Sequence, residues 1–212
     1  MVIKSISLQN YRNYRTLSLD FDPDTNIFYG DNAQGKTNIL EAVYVSGTSR
    51  SHRSSKDREL ICFSEEEAHI CTVFEKKGIL HKIDMHLRKN KTKGIAIDGV
   101  PIRKASELFG LIHFVFFSPE DLSIKNGPAE RRHFLDSELF QLDKVYLYQL
   151  SNYNKVVLQR NKLLKELYLH PDYREVLDVL DMQLVQYGSA LIHRRQTFAE
   201  ELGITQEEAY KM

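Results

Sequence analysis

Gly30-Asp31-Asn32-Ala33-Gln34-Gly35-Lys36-Thr37 sets two glycines, a lysine and a threonine at the spacing of a Walker A loop. That chemistry needs consecutive backbone N–H groups to curl around a phosphate, with glycine wherever a Cβ would clash or φ is positive. Gly35 lets the chain pass close to the anion, and Lys36 reaches the β and γ phosphates as a point charge. The Thr37 hydroxyl is the candidate Mg²⁺ ligand, with phosphate oxygens and water completing the shell. A helix opening at the end of the loop adds its partial positive charge. Alone, such a pattern arises by accident in roughly one chain per hundred of this length, so its context decides.

A phosphate loop of this kind follows a buried strand and opens a helix. Asn26-Ile27-Phe28-Tyr29 is the expected strand, and Ile39, Leu40 and Val43 recur at helical spacing behind the loop, with Gly47 suited to end that helix. Upstream, Met1 to Phe21 reads as a hairpin: Ile6 and Leu8, then Leu17, Leu19 and Phe21, alternate with polar residues. The connecting Tyr11-Arg12-Asn13-Tyr14-Arg15 is either a solvated turn or a nucleotide contact, since the hairpin feeds almost directly into the loop. Residues 48–58, hydroxyl-rich and basic, are either a solvated loop or a reach toward phosphate or DNA backbone.

Further along, residues 68–100 pattern as an antiparallel meander. Its turns are Glu75-Lys76-Lys77-Gly78, the basic Lys89-Asn90-Lys91-Thr92-Lys93-Gly94, and Asp98-Gly99, a strong hairpin signal. The basic turn is either solubilising or a nucleic-acid contact. Residues 111–117 are apolar on both faces, as in a covered central strand. Ser118-Pro119-Glu120-Asp121 then has helix-capping chemistry, or places acids near a bound cation. From Pro128 strand patterns stop. Helical stripes run through Leu142, Val145, Tyr146, Leu150, Tyr153, Val157, Leu164 and Leu167 to a break at His170-Pro171, and resume through Leu177, Leu180, Leu184, Tyr187, Leu191 and Phe198. The expected organisation is an α/β lobe over 1–117, a connector at 118–127 and a helical lobe over 128–212.

Composition narrows the class. The 212 residues are 42% hydrophobic and carry no formal net charge, so nucleic-acid affinity must come from local patches. No apolar run spans a bilayer, and a soluble, cytoplasmic protein with no membrane partner is expected. Cys62 and Cys71 lack metal spacing and are expected to be buried thiols. His81 and His86, five apart on a strand, face opposite sides and share no metal.

Whole phrases then resemble the bacterial RecF family. They are Leu8-Gln9-Asn10-Tyr11-Arg12-Asn13-Tyr14, residues 30–42, Ser51-His52-Arg53, Phe117-Ser118-Pro119-Glu120-Asp121-Leu122, Arg131-Arg132-His133-Phe134-Leu135-Asp136 and Gln159-Arg160-Asn161-Lys162-Leu163-Leu164. The resemblance implies an α/β fold: an ABC-type, SMC-head-like P-loop ATPase lobe with an antiparallel β subdomain, followed by an α-helical lobe. It implies ATP and Mg²⁺ as cofactors, an ATP-dependent homodimer, and DNA as partner, double-stranded and at gapped junctions. It further implies RecR and RecO as co-workers, assistance to RecA loading, and a place in replication, recombinational repair and the SOS response. In such heads an arginine of the first hairpin lies near the nucleotide. Arg12 holds that position here, with Asn13 beside it, and Asn32 sits within the loop. For DNA the candidates are Arg50, Arg53, Lys56, Lys89, Lys91 and Lys93.

Three departures stand out. The segment expected to hold a Q-loop glutamine reads Ser118-Pro119-Glu120-Asp121. No signature motif and no apolar run ending in paired acids follows the loop, and residues 202–212 fit the family poorly, so a shortened chain is expected. Slow hydrolysis is then expected of the full-length form, and a nucleotide-gated interaction module without turnover of this chain. A small-molecule kinase is the third reading, and it needs a lid where the sequence offers a helical arm.

Overall fold

The computed structural model describes residues 1–54, 56–115, 127–168, 170 and 174–203. The chain divides into two compact units, Met1–Phe116 and Phe117–Met212. No described helix is long and apolar enough to cross a membrane.

Period-two alternation builds the first unit. In β1 (Val2–Tyr11), Ile6, Leu8 and Tyr11 are buried while Ser7 and Gln9 face out. β2 (Tyr14–Asp20) pairs with it through the turn at Arg12 and Asn13. β3 (Glu67–Lys76), β4 (Ile79–Arg88), β5 (Gly94–Ile97) and β6 (Val100–Pro101) follow, giving an antiparallel six-stranded sheet of order β2-β1-β3-β4-β5-β6. Asp98 and Gly99 both take positive φ, as the hairpin signal required. Ile70, Phe74, Ile83, Met85 and Leu87 line one face and share a core with Ala42 and Val45 of α1 (Lys36–Thr48). The sheet therefore fixes α1, and α1 carries the phosphate-loop residues at its N-terminus.

Several sequence expectations fail for physical reasons. Asn26 to Tyr29 form no strand. The sheet offers them no neighbouring ladder, and Ile27 and Tyr29 are 79% and 91% exposed. Residues 111–115 likewise form no strand beyond one bridge between Phe109 and Ile112. Positions 116–126, including the expected cap at Ser118, lie outside the described residues. Gly47 does not end α1. The helix runs on to Thr48 and closes at Ser49 in the left-handed region, with φ 60°. Gly47 answers a packing need instead: a Cβ there would stand 1.9 Å from Cε2 of Phe114. Cys62 and Cys71 are free but half-buried, Cys71 because it lies on the outward face of β3. His81 and His86 do face opposite sides; His81 stacks on Phe74, and the His86 ring lies 4.3 Å from that of His69.

The second unit holds α2 (Pro128–Leu142), α3 (Lys144–Glu166) and α4 (Arg174–Glu201). Pro128 takes the first helical position, where its missing N–H costs nothing. The Asp143 carboxylate accepts the Val145 and Tyr146 amides at 2.8 and 3.1 Å and so starts α3. Leu135, Leu139, Tyr146, Leu191 and Phe198 form the core. Beside it, Asp136 accepts from the Tyr146 hydroxyl and the Arg195 guanidinium. Burial first, and that carboxylate second, push the Tyr146 phenol far above its usual range. The expected core stripe is narrower than the apolar pattern: Leu142, Val145 and Leu164 are exposed.

Gly47→Val forces two methyl groups into the space of the Phe114 ring. Equilibrium urea unfolding should show a loss of about 1–3 kcal/mol; unchanged stability would mean that the ring yields freely.

Candidate nucleotide site

The loop geometry follows from its glycines. Gly30, Ala33 and Gly35 take φ of 135°, 65° and 101°. A Cβ at Gly35 would meet Asn13 Nδ2 at 2.6 Å and the Tyr14 hydroxyl at 2.7 Å, so only glycine fits between the loop and the first hairpin. The hairpin grips the loop from the other side, since Asn13 Nδ2 and the Tyr14 hydroxyl both donate to the Gln34 carbonyl, at 3.2 and 3.3 Å. Asn38 Nδ2 in turn donates to Asn13 Oδ1 at 2.8 Å.

α1 begins directly at Gly35, and no side chain caps it. The Asn38 and Ile39 amides turn back to the Gly35 carbonyl, which leaves the earlier amides of the first turn pointing out of the helix toward the loop. Lys36 Nζ bonds the Gly30 and Asp31 carbonyls at 2.6 and 2.5 Å, so the ammonium is held across the loop. Together these groups border a cleft of about 370 Å³. Residues 32–37 of the loop and the start of α1 line it, together with Asn13, Asn38 and Arg53. No carboxylate among the described residues lines it. Open first-turn amides, one ammonium, one guanidinium and a hydroxyl make a donor set suited to a polyphosphate. Thr37 supplies the oxygen that a phosphate-bound Mg²⁺ would use.

The remaining candidate residues divide. Arg12, itself at φ 52°, does not line the cleft. Its guanidinium makes a two-pronged pair with Glu41 of α1, Nε to Oε2 at 2.9 Å and Nη2 to Oε1 at 2.7 Å. It also donates to the Glu59 carbonyl and the Ser54 hydroxyl, both at 2.8 Å. Glu41 is fully buried. Burial works to raise its pKa, but hydrogen bonds from Arg12 and Ser51 outweigh that and hold the carboxyl below its usual range. Arg53, a DNA candidate by sequence, stands at the cleft with Nη1 donating to Asn38 Oδ1 at 3.3 Å. Lys93 is turned inward, onto the Ser49 carbonyl at 2.5 Å and Asp57 at 3.0 Å. Lys89 pairs with Glu66 at 3.2 Å. Arg50, Lys56 and Lys91 are exposed. Sequence reasoning missed Asn38 and Glu41 as parts of the site. Their signal was position: Asn38 follows Thr37 directly and Glu41 lies three residues further on, so the two share one side of α1, the side that bonds the first hairpin.

The AAA ATPase domain family matches residues 1–167. The DNA replication and repair protein RecF of Agathobacter rectalis is 61% identical over 203 residues, 95% of this chain and 56% of that protein. The RecF of Clostridium perfringens strain SM101 is 44% identical across the whole chain and 58% of its own length. The chain thus spans a little over half the length of these curated relatives. Among solved structures, the recombination mediator protein RecF with ATP, of the RecFOR pathway, superposes with a TM-score of 0.90 at 35% identity, covering 95% of this chain and 54% of that one. An SMC ATPase structure gives 0.52 at 19% identity over 65% of this chain, a likeness of fold.

Arg12→Ala leaves the Glu41 carboxylate buried and unpaired, which should cost about 3 kcal/mol at neutral pH. The sign of the pH dependence follows. Wild-type Glu41 has a depressed folded pKa, so its contribution is present above its unfolded value and lost as pH falls through the folded one. In the variant the hydrogen bonds and charge of Arg12 are gone and only Ser51 and Arg53 are left to oppose burial, so that pKa rises relative to wild type. Denaturation curves from pH 7 to 4 should therefore converge, and a constant gap would contradict the pairing.

Proposed function

The chain belongs to the AAA ATPase domain family and, within it, to the RecF proteins, and from that premise we propose that it binds ATP with Mg²⁺ in the Gly30–Thr37 cleft as part of a DNA-repair protein. The carrying observation is the uncapped start of α1 at Gly35, bordered by Lys36, Thr37 and Arg53. Backbone amides of the first turn would take the phosphates, Lys36 would leave the loop carbonyls for them, and Arg53 would add a second cation at the cleft. Magnesium would sit on Thr37, the phosphate oxygens and water, since among the described residues no cluster of acidic, histidine or cysteine side chains is arranged to hold a metal.

In the full-length setting the proposal extends to ATP-dependent dimerisation, DNA binding near gaps, and action with RecR and RecO in loading RecA. The likeness to RecF of the RecFOR pathway supports this reading. A nucleotide-gated module without turnover is the second reading for these 212 residues. It is favoured by the lack of a carboxylate among the described lining residues, because hydrolysis needs a group to orient the attacking water. For DNA, the structure favours a smaller set than the sequence did: Arg50, Lys56 and Lys91, which are exposed, over Lys93, which is engaged within the fold.

Lys36→Ala should weaken ATP binding at least about tenfold in a calorimetric titration while leaving the circular dichroism spectrum intact. Retained affinity would refute the cleft assignment. Arg50→Ala with Lys91→Ala should lower affinity for gapped duplex DNA and flatten the slope of log affinity against log salt by about one to two. An unchanged slope would move the DNA path elsewhere.

A further inference from the structure

The loop that follows α1 is fastened from beneath. Ser51 Oγ donates to Glu41 Oε1 at 2.5 Å and accepts the Arg53 and Ser54 amides, each at 2.9 Å. Arg12 grips the same loop through the Ser54 hydroxyl and the Glu59 carbonyl while paired to the other edge of Glu41. Glu41 therefore sits at the junction of three elements: the β1–β2 turn, α1, and the segment carrying Arg53. Buried, with Oε2 on Arg12 and Oε1 shared by Arg12 and Ser51, it has a stiff, charge-assisted geometry.

Arg53 is different. Its side chain is exposed, and its head donates to Asn38 Oδ1 at 3.3 Å. A long exposed side chain with one weak contact has ample rotamer freedom of its own. Its reach is set by its backbone, which is bonded to Ser51 and hence to Glu41, and its charge also feels the Glu41 carboxylate.

We propose that Glu41 is a positioning residue that sets Arg53 at the polyphosphate cleft by way of Ser51, with Arg12 as the counter-ion that keeps the carboxylate charged. The inference rests on the ATP reading above. It gives Arg12 a role through Glu41, and it assigns Glu41 no contact with the nucleotide. A carboxamide at position 41 loses the charge that strengthens the bond from Ser51 and sets an N–H against a donor of Arg12 or Ser51, so the Ser51 turn loosens, the Arg53 backbone gains freedom, and the cation is less firmly pre-set where phosphate charge arrives. Binding of ATP weakens by the cost of ordering that loop.

Titration calorimetry with ATP and Mg²⁺ tests this on the 212-residue chain through Glu41→Gln, Ser51→Ala, Arg53→Ala and the double variants with Arg53→Ala. Each single change should weaken ATP roughly tenfold, the size of one charge-assisted contact. Each double variant should be no weaker than Arg53→Ala alone, because both changes remove the same interaction. Multiplying losses, about a hundredfold in the doubles, would overturn the proposal, as would wild-type affinity in folded Glu41→Gln or Ser51→Ala. Should Glu41→Gln fail to fold, Ser51→Ala, at a half-buried hydroxyl, carries the same comparison. Lys36→Ala separates the two levels: lost binding there with multiplying losses elsewhere sinks only the Glu41 assignment, whereas retained binding sinks the ATP reading and this inference with it.

Discussion

At Gly35 the backbone runs at φ 101° with Asn13 and Tyr14 standing where a Cβ would be. Any other residue would be strained by that φ and would displace the Asn13 amide and the Tyr14 hydroxyl that hold the loop. The close approach has three consequences. It lets α1 start without a side-chain cap, it allows the hairpin to hold the Gln34 carbonyl, and it brings Asn13 to the cleft.

Beneath that approach lies a second constraint, the Arg12–Glu41 pair, its carboxylate buried and its guanidinium half-buried. Burying two charges is expensive unless each finds partners, and here Arg12 and Glu41 find them on three separate segments. The sheet core of Ile6, Leu8, Ile70 and Met85 anchors β1 and α1 rigidly enough for the pair to form. Hydrophobic packing thus sets the frame, and the ion pair sets the direction in which the basic loop leaves α1. The chemistry at the cleft depends on both, since Arg53 belongs to that loop.

Much of the first unit was legible in the sequence because its strands follow a clean two-residue alternation and its turns carry Asp98-Gly99 and Gly78. The loop was legible for a different reason: Gly35, Lys36 and Thr37 are each dictated by one atom's worth of space or charge. What failed was neighbour-dependent. Ile27 to Tyr29 look like a buried strand, but strand identity requires a ladder, and the sheet places none beside them. Gly47 looks like a helix stop, yet it serves the Phe114 ring from a distant segment. Arg53 and Lys93 look like any basic loop residues. Only three-dimensional proximity shows one at the cleft and the other turned inward. Glu41 was invisible as anything but an acidic helix residue, because its partners are 29 residues upstream and 10 downstream.

Amide hydrogen exchange with and without ATP and Mg²⁺ probes the phosphate cradle most directly, since the cradle is made of amides. The expected result is slowed exchange confined to the amides of residues 33–38 and the segment around Arg53, with the outer strands β5 and β6 unchanged. Protection appearing elsewhere, with the loop amides exchanging as before, would contradict the assignment of Gly30–Thr37 as the site that holds the triphosphate.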